Sequence, residues 1–525
     1  MIAKMLIVGF EDENFDPTYQ LGGVILFDKN LKDPSKTKNI ISPEQLKVLT
    51  DKIKKSKNAP YFIAVDQEGG KVARLKTTQG FFQAPSAKEI ATLPLQEVNT
   101  LYEKHSLMLQ NEGINMNFAP VLDLSLNSDN KVIAGLDRSY GETPGQVLKY
   151  AKIMIEEQNK TNVISVVKHF PGHGSSLEDS HKGFVDVSNT WNEIELSPYK
   201  ELIVENKLDA IMTAHVFNKH LDPAYPATLS YNVNTKILRQ KLGFEGVIVS
   251  DDMQMKAISD HYSLKEAVTL AINAGVDMLV FGNQLGSNTP QELVDTIFTQ
   301  IKNGKIPLKR IVEANKKIEF LHIKSQIVQK PIIFSDHRKE MTKAYIKQHY
   351  DKTVDDITIA PKMIVLHWTA VMSFEDSYKR LYQEELFTDR KDIAAASALN
   401  VSAQFLIDRD GTIYQLMPDD WMARHVIGLN YSAIGVENVG GENNTKEDLT
   451  PAQVRSNIAL VRYLKAKYPS IEYLIGHHQY RDFENTPLWL EKDQGYRTQK
   501  ADPGEKFMNE VRSQLKYLNL KERYE

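Results

Sequence analysis

Along roughly the first 320 residues, short apolar runs rich in β-branched side chains alternate with longer stretches in which apolar residues recur at helical spacing. Eight runs stand out: "MLIVGF", "GVILFD", "YFIAVDQ", "MNFAPVLDL", "VISVVKHF", "AIMTAHV", "GVIVSDD" and "MLVFGN". Each is nearly continuous in hydrophobicity, which fits strands buried on both faces of a parallel sheet. Strand and helix in alternation is the signature of βα units. Eight such units predict an α/β fold, a (β/α)8 barrel of the TIM type, with an irregular first pair because the link between the first two runs is short.

The pattern then changes. The stretch "LKRIVEANKKIEFLHIKSQI" carries apolar residues at helical spacing and ends near Val328, and a polar connector, "QKPIIFSDHRKEM", follows. We therefore expect a first domain over 1–328, a linker over 329–343 and a second domain over 344–525. In the second domain "MIVLHWT" reads as a strand, and "AQFLIDRDGTIYQLM" as a hairpin turning at Asp410-Gly411. After "AIGVENVG", Thr450 is placed to cap a helix with Pro451 in its first turn, and "YLIGH" supplies a last short strand. This predicts a mixed α/β domain.

Composition narrows the functional classes. Lysine and arginine number 64 against 68 acids, and the net charge of −4 leaves no electrostatic footprint for nucleic acid or an anionic membrane. No apolar run approaches the roughly 18 residues needed to span a bilayer, and the first residues do not read as a charged-then-apolar leader. The chain as it stands reads as soluble and cytoplasmic, with export behind a missing leader as the alternative. It has no cysteine, which excludes disulfides, thiolate metal sites and cysteine nucleophiles.

The polar residues of the barrel gather where barrels carry sites. Asp66, Asp123, Lys168, His169, His215, Asp251 and Asp252 all sit at the carboxyl ends of the predicted strands. Of 14 histidines in 525 residues, three fall in "HFPGHGSSLEDSHKG", a glycine-interrupted loop after the fifth strand. Retaining glycoside cleavage needs a nucleophile and an acid/base on opposite sides of an anomeric carbon. Asp251 is the candidate nucleophile, and Asp179 with His181 the candidate proton-transfer pair; the bland alternatives are a cap, a loop staple or no role. Asp252 reads as a brace for the strand, and His173 as a loop-fixing hydrogen-bonding residue. In the second domain His367, His477 and Asp502 have the ligand types of a catalytic zinc site with one open position, or are loop anchors. His478 competes with His477, and Arg424 and His425 read as substrate-side or structural.

The segments "AVDQEGGKVARL", "DRSYG", "VVKHFPGHG", "DSH" and "VSDDMQM" occur in an order that resembles the β-N-acetylglucosaminidases of glycoside hydrolase family 3, the bacterial branch involved in peptidoglycan turnover and recycling. That resemblance implies Asp251 as nucleophile and Asp179–His181 as acid/base dyad. It also implies Asp66, Arg74, Arg138, Lys168 and His169 as the groups holding the sugar hydroxyls. "IVLHWTA", "SAQFLIDRDGTIYQL", "ARHVIGLNYSAIGVENVG", "IGHH" and "YRTQKADPG" resemble the type 2 N-acetylmuramoyl-L-alanine amidases. This second resemblance implies zinc on His367, His477 and Asp502, with Glu437 activating water and Lys500 near the oxyanion; the glycosidase implies no cofactor. Together they imply a bifunctional hydrolase whose partners are peptidoglycan fragments carrying both bonds. The alternatives are a second domain that binds peptidoglycan without turnover and a broader β-glycosidase in the first.

Overall fold

The computed structural model describes residues 1–11, 15, 18–33, 35–178 and 183–524. The chain divides into two compact units, Met1–Ser325 and Gln326–Glu525.

The first unit is a closed parallel barrel of eight strands in sequential order. They are β1 (Leu6–Gly9), β2 (Gly23–Ile25), β3 (Phe62–Val65), β4 (Met116–Asn117), β5 (Ile164–Phe170), β6 (Ala210–Thr213), β7 (Val247–Asp252) and β8 (Met278–Phe281). β1 closes the barrel against β8, with Leu6 opposite Leu279, and runs parallel to β2, with no helix between β1 and β2 among the described residues. All seven residues of β5 are buried, which is why its run shows no alternation. β4 is shorter than the run "MNFAPVLDL" suggests: Pro120 has no N–H to donate, pairing with β5 resumes as a single bridge from Val121 to Lys168, and Asp123 stands in irregular chain beyond it.

The helices that cover the barrel are set by local chemistry. In Pro144–Lys160, Thr143 accepts from the Gln146 amide and Gln146 returns the bond, while Pro144 occupies the first turn. Val147, Leu148, Ala151, Met154 and Ile155 then recur on the face turned to the sheet. Below the strands, buried Asp277 accepts from Arg239 Nη2 at 2.5 Å, Arg310 Nη2 at 2.5 Å and the Ile248 amide at 3.0 Å, tying two helices to the barrel.

The second unit is a six-stranded mixed sheet. Its strands are β9 (Ile327–Gln329), β10 (Met363–Leu366), β11 (Phe405–Ile407), β12 (Ile413–Gln415), β13 (Ala433–Asn438) and β14 (Tyr473–Gly476), in spatial order β9-β12-β11-β13-β10-β14. β11 and β12 form the hairpin at Asp410-Gly411, where Gly411 has φ +94°. Thr450 caps the helix Pro451–Lys467 through a reciprocal bond with Gln453. The stretch 329–343 is structured in this unit: Gln329 ends an edge strand paired with β12, and Asp336–Tyr350 is helical. A three-residue strand is too short to show a period, so its place follows only from its partner.

Helix Asp336–Tyr350 is locked to the stretch 479–498 by a buried ion pair. His349 Nδ1 donates to Glu491 at 2.9 Å and Nε2 to the Ala396 carbonyl at 3.0 Å, so the ring uses both protons. Burial opposes that charge, but Glu491 and the Ala396 carbonyl outweigh it and raise the pKa of His349. A raised pKa stabilises the fold fully below the unfolded-state value of about 6.5 and ceases to do so as pH climbs through the folded one. The thermal midpoint of the second unit is therefore expected to fall as pH rises above about 6.5, and to fall less in His349→Gln. Equal slopes in melting curves of the two proteins would contradict this.

Candidate active sites

At the carboxyl end of the barrel a cavity of about 320 Å³ is lined by Asp66, Glu68, Arg74, Arg138, Lys168, His169 and Asp251 among others. Lys168 Nζ donates to Asp66 at 2.8 Å and lies 2.6 Å from Glu68, and Arg74 Nη2 reaches Asp66 at 3.4 Å. Arg138 grips Glu68 with two bonds, from Nε at 2.8 Å and Nη2 at 2.7 Å. Burial penalises the Glu68 carboxylate, yet Arg138 and Lys168 outweigh that penalty and hold its pKa down to about 2. His169 donates from Nδ1 to Asp123 at 2.6 Å and accepts from Arg138 at Nε2, 3.2 Å away. The cavity wall is thus a lattice of alternating charges whose side chains are held before any ligand arrives.

Asp251, at the end of β7, borders this cavity and also a more apolar one of about 300 Å³ lined by Phe27, Leu31, Met255 and Leu285. Asp252 lines only the second of these cavities, and its Oδ1 accepts the amides of Gln254 at 3.0 Å and Gly282 at 3.3 Å, bracing the strand end. His215 supports the same turn through the Asp252 carbonyl at 3.0 Å.

The loop after β5 is anchored at its root. His173 donates its amide to Asp123 at 2.8 Å, and its Nδ1 lies 2.7 Å from the Ser176 hydroxyl. Glu195 accepts from the Ser175 hydroxyl at 2.7 Å and the Gly174 amide at 3.1 Å. A Cβ at position 174 would lie 1.7 Å from the Leu124 carbonyl oxygen, so only glycine fits there. Asp179 and His181, the expected acid/base pair, lie outside the described residues.

In the second unit parallel register brings the site together. Leu366 of β10 pairs with Gly476 of β14 on one side and Val436 of β13 on the other. The next residues, His367, His477 and Glu437, therefore emerge side by side at the carboxyl ends. Asp502 is held beside them by its carbonyl, which accepts the His478 amide at 2.9 Å. His367 Nδ1 and His477 Nδ1 are 2.9 Å apart, and Asp502 Oδ2 lies 3.1 Å from the latter and 3.4 Å from the former. A tetrahedral zinc with bonds of about 2.0–2.2 Å needs ligand atoms about 3.3 Å apart, so the donor set and its spacing fit that ion.

His478 points elsewhere, to the Asp502 carbonyl at 2.9 Å and Glu505 at 3.0 Å. Glu437 and Lys500 line the same cleft of about 480 Å³ as the triad. Glu437 Oε2 is buried with no hydrogen-bond partner among the described residues. Burial pushes its pKa up to about 7, against the pull of His367.

Three residues that organise these sites had no assigned role in the sequence. Glu68 follows Asp66 by two positions, but its partner Arg138 is 70 residues away and no pattern joins them. Asp123 was visible only as a strand-end acid, and Glu195 gave no signal at all.

Comparison with known proteins agrees with this division. The profile of the glycosyl hydrolase family 3 N terminal domain matches residues 11–321, and that of N-acetylmuramoyl-L-alanine amidase matches 358–505. A beta-hexosaminidase of Tolumonas auensis is 39% identical over 269 residues, spanning 50% of this chain and 76% of that protein. Another, from Haemophilus ducreyi, is 31% identical and spans 63% of this chain and 91% of its own. A glycoside hydrolase family 3 beta-N-acetylglucosaminidase from a Paenibacillus species shares the fold, with a TM-score of 0.56 at 23% identity over 90% of this chain and 83% of that one. None of the described helices is long and apolar enough to cross a membrane. With a family profile covering more than half its length, the chain belongs to glycosyl hydrolase family 3, and its second unit is a domain of the N-acetylmuramoyl-L-alanine amidase family, which makes it a hydrolase built from two enzyme domains.

Proposed function

We propose that the chain dismantles peptidoglycan fragments at two bonds: the first unit releases N-acetylglucosamine from N-acetylglucosaminyl-(1,6-anhydro)muramyl peptides, and the second cuts the amide between muramic acid and L-alanine. The observation that carries this reading is the presence, in one chain, of a charged sugar-sized cavity ending on Asp251 and a separate convergence of His367, His477 and Asp502.

In the first unit Asp251 attacks the anomeric carbon and forms a covalent glycosyl-enzyme, which water then opens with retention. His181, acting with Asp179, gives a proton to the leaving oxygen and later takes one from that water. Asp66, Arg74, Arg138, Lys168 and His169 hold the ring hydroxyls. Charge-assisted bonds from such a pre-set lattice orient the sugar without reorganising on binding.

In the second unit His367, His477 and Asp502 would hold zinc, which would supply Lewis acidity for amide hydrolysis. Glu437 accepts the proton released as water adds to the carbonyl carbon and passes it to the departing amine. Its place in the cleft beside the triad suits a group that takes a proton and gives it back. Lys500, at the rim of the cleft, offsets the negative charge that develops on the carbonyl oxygen.

The test is mass spectrometry of products from a defined disaccharide anhydro-muropeptide, with and without a zinc chelator. Free N-acetylglucosamine in both samples, with stem peptide only in the untreated one, is the expected result. Peptide release that never occurs would make the second unit a binder and remove the catalytic roles of Glu437 and Lys500.

A further inference from the structure

We propose that His425, which touches neither of the bonds to be cut, is a positioning residue that selects the metal-binding tautomer of His367. The inference rests on the reading of the second unit as a zinc site.

The relay begins at the Ala433 carbonyl. His425 Nε2 lies 3.4 Å from the Ala433 oxygen, its Nδ1 lies 3.0 Å from His367 Nε2, and His367 Nδ1 faces His477 and Asp502. A carbonyl oxygen only accepts, so the proton of a neutral His425 sits on Nε2 and its Nδ1 presents a lone pair. His367 must then donate from Nε2, which leaves the lone pair of its Nδ1 aimed at the triad. A ring nitrogen can bind a metal only with that lone pair free, and the bond made by the other nitrogen decides which one it is. The relay from Ala433 through His425 to His367 thus imposes the ligand form.

The surroundings hold His425 in this line. Its amide donates to Asn430 Oδ1 at 2.9 Å, and Asn430 is itself bonded to the Tyr350 hydroxyl at 3.0 Å. A Cβ on Gly435 would come within 2.7 to 2.8 Å of three His425 ring atoms, so the glycine of "AIGVEN" leaves the space that the ring occupies. Gly435 and Ala433 belong to the same strand that carries Glu437, so one strand supplies the acceptor that ends the relay, the gap beside it and the buried carboxylate.

Zinc affinity of the full-length protein, measured by competition with a chromophoric chelator, tests this independently of substrate. His425→Leu removes the acceptor and is expected to weaken zinc binding by about 10- to 100-fold, the usual cost of losing such a partner. His425→Asn places an oxygen where Nδ1 stood and is expected to stay within about threefold of the parent protein. Gly435→Ala, which keeps the imidazole but displaces it, should fall on the side of the leucine variant. The inference is overturned if His425→Leu binds zinc as tightly as the parent, or if His425→Asn falls as far as His425→Leu, since the ring would then act by packing alone. A parent protein that takes up no zinc overturns both this inference and the metal-dependent reading. Tight zinc without amide cleavage overturns only the proposed activity.

Discussion

Replacing Asp251 with asparagine is expected to lower N-acetylglucosamine release by at least about 10³-fold while leaving peptide release by the same protein unchanged. Asparagine keeps the size of the side chain and still offers Oδ1 to the Asp252 amide, now 2.8 Å away, so the strand end stays in place. What it loses is the anionic oxygen proposed to form the bond to the sugar. Asp252→Asn is the informative control. Its carboxylate is committed to the Gln254 and Gly282 amides, so the change should act on the shape of the strand end and cost much less. Product quantification by mass spectrometry checks both. A protein that keeps more than about a tenth of its activity after Asp251→Asn, and loses it after Asp252→Asn, would transfer the nucleophile to the neighbour.

The second large effect is expected at His367. His367→Ala removes one of the three proposed ligands and should abolish both stoichiometric zinc and amide hydrolysis, the latter by at least about 10³-fold, with N-acetylglucosamine release intact. Chelation should reproduce the loss in the parent protein, and added zinc should restore the parent but not the variant. His478→Ala separates ligand from neighbour. Its ring is tied to the Asp502 carbonyl and Glu505 outside the triad, so zinc content should be retained. Metal analysis after dialysis reads both variants. Zinc lost from His478→Ala and retained in His367→Ala would reverse the assignment.

Fusing the two activities means that one molecule carrying both bonds meets both sites in equal amount. The sites also differ in how they are prepared. The barrel cavity is a network of ion pairs set around Glu68, whose charge persists far below neutral pH. In the second cleft Glu437 Oε2 has no hydrogen-bond partner among the described residues, which costs free energy in the folded protein.

Much of this molecule is legible along the chain. A strand buried on both faces must be apolar at nearly every position, so the barrel runs announced themselves, and strand direction alone placed Asp66, Lys168, His169 and Asp251 at the carboxyl face. The hairpin at Asp410-Gly411 and the cap at Thr450 followed from backbone chemistry confined to a few neighbouring residues. The edge strand β9 and the early unit boundary at Ser325 did not, because three residues carry no period and their place depends on β12, more than 80 positions further on.

The sequence by itself determined which chemistries the chain holds, since residue type, strand-end position and local motif are all properties of short stretches. Only the tertiary structure decided how they engage. Parallel register, a relation between distant strands, put His367, His477 and Glu437 abreast and turned His477 toward Asp502 while His478 turned away. The two-bond grip of Arg138 on Glu68, and the relay from Ala433 through His425 to His367, join residues on separate elements, and hydrogen bonds depend on distances and directions that no spacing along a chain encodes.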